Sequence, residues 1–269
     1  MRSASIALAA GLLGFAGGLE AQGPAERKPD VHFVVTRQPV VDEMLRLARV
    51  RRTDVVYDLG SGDGRIVITA AARYGARGVG VELDTQLINL ANRKAREAGV
   101  SRRVRFLHQD LFATDLRSAT VVTIYLGRVL HQRLRPVLYR QLRPGARIIA
   151  HGWELGEWTP DARTEADGRK IFFWVVPAKV AGRWRWRAAD GRSNTLALEQ
   201  DYQRLSGRWV AGTDTMTIAT GRLAGDSLFL RAAGRGAVFR LQGRVRGDAI
   251  GGTITRNGRV EPWAARRIN

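Results

Sequence analysis

The chain has 269 residues, 45% of them apolar, which is enough to fill the core of one α/β domain and a smaller companion. It has no cysteine, which excludes disulfides and thiolate metal sites, and the spacing of its four histidines suggests no zinc, so no metal is expected. A formal charge of +19 invites a nucleic-acid partner, but 40 of the 44 basic residues are arginines dispersed without a basic block; nucleic acid is therefore the disfavoured partner.

The chain opens with a short basic stretch, Met1 to Ser5, then an apolar run of 13 residues from Ile6 to Gly18. That run is too short to cross a bilayer core of about 30 Å comfortably. The order of basic, apolar and small residues predicts a signal peptide over residues 1–21 and an exported, periplasmic or secreted protein; an uncleaved membrane anchor is the alternative. Residues 22–30 are expected to be a linker.

Apolar residues at helical spacing predict a helix over Pro39 to Ala48. A strand, Val55 to Leu59, then runs into Gly60-Ser61-Gly62-Asp63-Gly64-Arg65, and a helix is expected from Ile66 to Tyr74. Glycine at 60, 62 and 64 removes the Cβ atoms that would keep a ligand off the backbone, and the helix start favours oxygen-rich groups. A dinucleotide fingerprint would need glycine at 65, where this chain has Arg65, and no Gly-Lys-Ser/Thr follows to make a phosphate loop. Asp58, just before the turn, suits a ligand with a cationic amino acid part.

Further acids close the next two strands. Ala76 to Val81 ends in Glu82, 22 positions after Gly60, where a carboxylate can accept both ribose hydroxyl protons. Val104 to Phe112 reads as a third strand containing Asp110. Helices are expected over Gln86 to Ala98 and Leu130 to Leu142, with a fourth strand at Thr120 to Leu126 and a fifth at Ala146 to His151. Lys170 to Val176 and Trp184 to Arg187 are expected to close the sheet as an antiparallel pair. This alternation predicts a mainly parallel sheet with helices on both faces, over residues 31–188.

After residue 188 the pattern changes to short alternating runs between glycine turns. Gly221 to Asp226 recurs as Gly243 to Asp248, and Asn257-Gly258 signals a hairpin. A small antiparallel sheet or partial barrel is expected over residues 189–269.

The acid preceding Gly-x-Gly-x-Gly resembles the first motif of class I S-adenosylmethionine-dependent methyltransferases. His32 to Thr36, Thr123 to Leu126, His151 to Trp153 and Trp158 to Asp161 narrow the likeness to bacterial relatives of the mitochondrial lysine methyltransferases that modify the c-ring protein of ATP synthase and the adenine nucleotide translocase. Where relatives have aromatic-Val-Pro-Thr, this chain has Phe33-Val34-Val35-Thr36, without the proline. The resemblance implies a Rossmann-like sheet of seven strands with the small β-domain attached, and S-adenosyl-L-methionine as cofactor. It implies cofactor contacts at Asp58, Gly60, Ser61, Gly62, Asp63, Glu82 and Leu83, with Asp110 and Leu111 beside the adenine. Substrate contacts are expected at Phe33, Thr36, Trp153 and Glu154, with Trp158 as a further wall of an amine pocket.

Methyl transfer to an amine requires an acceptor held in line with the sulfonium carbon and a route for its proton. Tyr125, at the mouth of the fourth strand, is the candidate to orient the amine, and His151 the candidate base; for each the alternative is packed structure, and for a lone histidine that is the commoner role. The expected function is N-methylation of a protein lysine or other amine. A small-molecule acceptor, or an exported non-catalytic binding module on the same fold, are the alternatives.

Overall fold

The computed structural model describes residues 34–234 and 236–268; the expected leader (1–21), the linker (22–30) and Phe33 lie outside the described residues. Val55–Leu59 (β1) and Val121–Ile124 (β4) are almost wholly buried on both faces, the condition of central strands covered by helices. The first domain continues through Gln38–Leu47 (α1), Arg65–Tyr74 (α2), Arg77–Glu82 (β2), Thr85–Glu97 (α3), Val104–His108 (β3), Arg128–Gln141 (α4), Arg147–His151 (β5), Ala162–Ala166 (β6) and Arg169–Val175 (β7). Its seven strands lie in the order β3-β2-β1-β4-β5-β7-β6. The first five are parallel, and β7 runs antiparallel to both β5 and β6.

Two apolar layers clamp this sheet. Val40, Met44, Ile66, Val67 and Ala70 pack from α1 and α2 against Val56 and Ile149, while Leu130, Leu134 and Leu138 of α4 cover Val122 and Ile148 on the other side. The chain reverses its order between β1 and β4, so a crevice opens outside the carboxyl ends of these strands. Among the described residues no helix is long and apolar enough to cross a membrane.

The expected closing pair needs correction. Lys170 to Val176 does form β7, but its partners are β5 and β6, while Trp184 to Arg187 lies in Gly182–Arg187 (β8), a strand of the second sheet. Ala162–Ala166 is an edge strand, which can be built from residues with no apolar alternation. In β8, by contrast, Trp184 and Trp186 point in while Arg183, Arg185 and Arg187 are exposed. The second sheet thus begins at Gly182, inside the segment expected to belong to the first domain. The third strand is also shorter than expected. It ends at His108, and Leu111–Ala113 is a 3-10 turn in which the Phe112 amide donates to Asp110 at 2.9 Å.

The second domain is a closed barrel of eight strands: β8, Ser193–Asp201 (β9), Arg204–Ala211 (β10), Asp214–Ala224 (β11), Ser227–Gly234 (β12), Ala237–Arg246 (β13), Ala249–Arg256 (β14) and Arg259–Ile268 (β15). Sequence neighbours pair antiparallel, and β15 returns to β8, which leaves no open edge. Trp158, expected beside an amine, is instead fully buried at the junction of the domains. Its ring stacks on Tyr202 at 4.9 Å and its indole N–H donates to Gln203 at 2.9 Å. Arg222 adds an ion pair to Asp161, and the Ala178 amide donates to the Gly225 carbonyl.

Candidate functional site

The turn after β1 is built by three glycines with positive φ, at +78° for Gly60, +53° for Gly62 and +75° for Gly64, where a side chain would be strained. It delivers the chain into α2 at Arg65. The turn is pinned across to the end of β2: Glu82 accepts from the amides of Gly62 at 2.9 Å, Leu83 at 2.8 Å and Asp84 at 3.1 Å. A carboxylate can accept about four hydrogen bonds, so Glu82 is held in one orientation with capacity left for a ligand.

A cleft over this turn is lined by Thr36, Asp58, Gly60, Ser61, Asp63, Glu82, Leu83, Asp110, Leu111 and Tyr125, so the fold gathers nearly all the expected cofactor residues around one space. Gly62 takes part through its bond to Glu82. Carboxylates outnumber cations on this lining, with Asp58, Asp63, Glu82, Asp84 and Asp110 against Arg65, in a chain that is otherwise strongly basic.

The carboxylates do different things. Asp58 is buried and accepts from the Thr123 hydroxyl at 2.7 Å. Burial pushes its carboxyl up to about 7; the Thr123 bond opposes this, and the Glu82 and Asp63 carboxylates reinforce it. Asp63 is engaged within the protein, with Arg65 and Lys94 each 2.5 Å away. Burial would raise its carboxyl, but the bonds from Arg65 and Lys94 outweigh that and hold it at about 2. Arg65 also donates to the Thr36 carbonyl at 3.0 Å, tying the segment before α1 to the cleft. Lys94 carries no site signal in the sequence, because it acts through an acid 31 positions away, and although Thr123 opens the segment Thr123 to Leu126, nothing in that segment marks its bond to Asp58.

Tyr125 and His151 come together where β4 and β5 end, their rings stacked with centroids 3.7 Å apart and planes 21° apart. The Thr36 hydroxyl lies 3.4 Å from His151 Nδ1, and His151 Nε2 is buried with no hydrogen-bond partner. Burial, aided by Arg169 and His131, lowers the His151 imidazole to about 4, so it is neutral at physiological pH. Only one other buried side-chain polar atom among the described residues lacks a partner, Ser61 Oγ; Ser61 lines the cleft, whereas His151 is not on the lining and meets it through the Tyr125 ring. Orphaned buried groups cost about 1–3 kcal/mol each, a cost that a bound ligand reaching either atom would relieve. Ser61, the amide-pinned Glu82 and the glycine turn suit a molecule with hydroxyl groups and a cationic amino acid part.

Trp153 and Glu154 sit outside the cleft lining. Trp153 is 40% exposed with the Arg128 guanidinium 5.0 Å from its ring, and Glu154 pairs with Arg163 at 3.0 Å. The Trp153 carbonyl is fixed by His131, a fully buried residue with no motif to mark it in the sequence. His131 Nε2 accepts from the Leu126 amide at 3.2 Å, which leaves Nδ1–H to donate to the Trp153 carbonyl at 3.0 Å. Burial holds this imidazole at about 4 and hence neutral, as that pattern requires. One side chain thereby sets the spacing of the loops that carry Tyr125 and His151.

The family described as ANTKMT methyltransferase domain matches residues 58–162, from Asp58 to the start of β6. A protein-lysine N-methyltransferase of Saccharolobus islandicus (strain REY15A) is 40% identical over 133 residues, 49% of this chain and 83% of the relative. The adenine nucleotide translocase lysine N-methyltransferase of Mus musculus is 39% identical over 133 residues, 49% of this chain and 57% of that protein. Among solved structures, an RNA methyltransferase from Salinibacter ruber in complex with S-adenosyl-L-homocysteine is 50% identical, with a TM-score of 0.54 over 55% of this chain and 96% of that one. The chain belongs to the S-adenosylmethionine-dependent methyltransferases of the ANTKMT domain family.

Proposed function

We propose that the chain methylates a protein amine, the side chain of a lysine, with the cofactor in the cleft over the glycine turn and the amine entering beside Tyr125 and His151. The observation that carries this reading is the buried, unpartnered Nε2 of a neutral His151, stacked on Tyr125, which itself lines the acidic cleft. When bound, S-adenosylmethionine supplies an electrophilic methyl group. Glu82 would accept from a ribose hydroxyl, Ser61 and Asp58 would face the amino acid part, and Asp110 and Leu111 would lie beside the adenine. The Tyr125 hydroxyl orients the neutral acceptor amine, His151 Nε2 accepts a hydrogen bond from its N–H so that the lone pair faces the methyl group, and the methylated ammonium gives its extra proton to solvent. The names of the Saccharolobus islandicus and mouse relatives support a lysine acceptor.

The test is labelled-methyl transfer from S-adenosylmethionine into a lysate of the source organism. Label that is released by protease, survives ribonuclease and appears as methyl-lysine after hydrolysis is the expected result. Label in RNA, the acceptor class named for the Salinibacter ruber protein, or in small molecules would overturn the lysine reading. With the acceptor in hand, Tyr125→Phe and His151→Ala should each lower kcat/KM at least tenfold, in line with the roughly 10²–10⁴-fold worth of positioned proton transfer, while S-adenosylhomocysteine binding stays within about twofold. Unchanged rates in both variants would remove these residues from the reaction.

Asp58 makes cofactor binding depend on pH. With its carboxyl near 7, about a tenth is ionised at pH 6 and about nine tenths at pH 8, and a cationic ligand favours the ionised form. S-adenosylmethionine should therefore bind about tenfold tighter at pH 8 than at pH 6, and Asp58→Asn should flatten the profile. The ligand-free fold should respond oppositely. A raised carboxyl costs the fold nothing below its unfolded value near 4, and stability is lost as pH rises from there through about 7. Calorimetric titration at both pH values decides the binding effect, and a flat wild-type profile would contradict it.

A further inference from the structure

No residue assigned to methyl transfer lies at the far end of the barrel. The β9–β10 and β11–β12 turns face the first domain, where Gln203 bonds Trp158 and Thr159 and Gly225 receives the Ala178 amide. The β8–β9, β10–β11, β12–β13 and β14–β15 hairpins ring the opposite end, and between them a cavity opens into the barrel. Eight strands leave an interior that is either filled by side chains or able to hold one small ligand, and the mouth of a barrel is a common place for such a site.

The cavity wall is aromatic. Trp186 lies 5.6 Å from Trp209, and Trp209 meets Phe239 edge-on at 5.0 Å. The Trp209 indole N–H is already committed to Asn194 at 2.9 Å, so that ring offers the cavity an apolar surface. The charges at the rim are sorted. Asp190 holds Arg192 at 2.6 Å, and Asp214 and Glu261 act electrostatically on the same guanidinium. Arg256 and Arg259 stand directly opposite each other in the β14–β15 hairpin, both on the cavity lining. Neither forms an ion pair among the described residues, and Arg256 lies 5.2 Å over the Phe239 ring. Like charges directly opposed across a hairpin are destabilising, and an anion set between them removes that penalty.

We propose that the barrel mouth is a binding site for a small lipophilic carboxylate, its apolar body against Trp186, Trp209 and Phe239 and its acid group between Arg256 and Arg259. The site is independent of the methyl-transfer cleft and of the acceptor assigned to it. Calorimetric titration of the full chain with decanoate, decanol and decylamine tests it. Decanoate should bind once per chain and at least tenfold more tightly than either the alcohol or the amine. The double variant Arg256→Gln/Arg259→Gln should weaken decanoate at least tenfold and, by relieving the repulsion, melt no lower than wild type. Arg231→Gln/Arg240→Gln, on exposed positions of β12 and β13, should leave decanoate binding unchanged. Absence of saturable decanoate binding, equal affinity for decanoate and decylamine, or full binding by a folded Arg256→Gln/Arg259→Gln chain would overturn the proposal.

Discussion

Gly64→Ala is expected to melt the first domain about 10 °C lower than wild type and to abolish cofactor binding. Two costs combine. The backbone at Gly64 has φ +75°, a conformation that costs a residue with a side chain about 1–2 kcal/mol. An added Cβ would also stand 2.6 Å from the Phe106 ring and 2.9 Å from Ala91 Cβ, and overpacking of this kind costs roughly 1–3 kcal/mol. At about 2–4 °C per kcal/mol for a domain of this size, the sum gives the expected shift. Gly99→Ala separates the two terms, because Gly99 has φ +68° but nothing within 4 Å of an added Cβ. It should lose only the backbone part, about 2–8 °C by the same conversion. Equal melting shifts for the two variants would show that packing of the glycine turn against Phe106 and Ala91 carries no weight.

Glu82→Ala should weaken S-adenosylhomocysteine binding at least 100-fold while leaving the fold intact, a loss of about 2.8 kcal/mol or more. Three backbone amides hold this carboxylate in place, so it meets a ligand without being ordered first. Three amides leave Glu82 about one of its four acceptor sites, and a ribose hydroxyl bond to a charged acceptor is worth about 1.5–3 kcal/mol, the upper part of which covers that loss. Glu82→Gln keeps the shape and one acceptor oxygen but turns an amide toward N–H groups, so it should fall between wild type and alanine. The same calorimetry reads both variants, and affinity within about threefold of wild type for Glu82→Ala would take the ribose away from this residue.

The sheet and the cleft are legible in the sequence because their signals are local. Val55 to Leu59 is an apolar run interrupted only by Asp58, the glycines at alternate positions specify the turn, and Glu82 and Asp110 mark the ends of the next elements. The barrel's strands are legible from their alternation, but its closure is not. The pairing of β8 with β15 joins residues about 80 positions apart, and Trp184 to Arg187 alternates as well for an edge of one sheet as for the wall of another. β6 escapes a reading by pattern because Ala162–Ala166 alternates between half-buried and exposed residues, with no apolar face. Asp63 stands within the glycine motif, yet Lys94, 31 positions away, engages it and gives it a structural task. Trp158 looks like pocket wall in the sequence because the partner that buries it, Tyr202, lies in the other domain. His131 carries no motif at all, and its importance follows only from the two loops that converge on it.

The central claim is that the cofactor occupies the cleft between the glycine turn, Glu82, Asp110 and Tyr125. Photo-crosslinking of methyl-labelled S-adenosylmethionine to the full chain, followed by peptide mapping, tests it most directly. The label is expected on peptides spanning residues 58–65, 109–112 or 123–126, and excess S-adenosylhomocysteine should abolish it. Label confined to barrel peptides within residues 193–268, or label in the cleft that S-adenosylhomocysteine does not displace, would contradict the account.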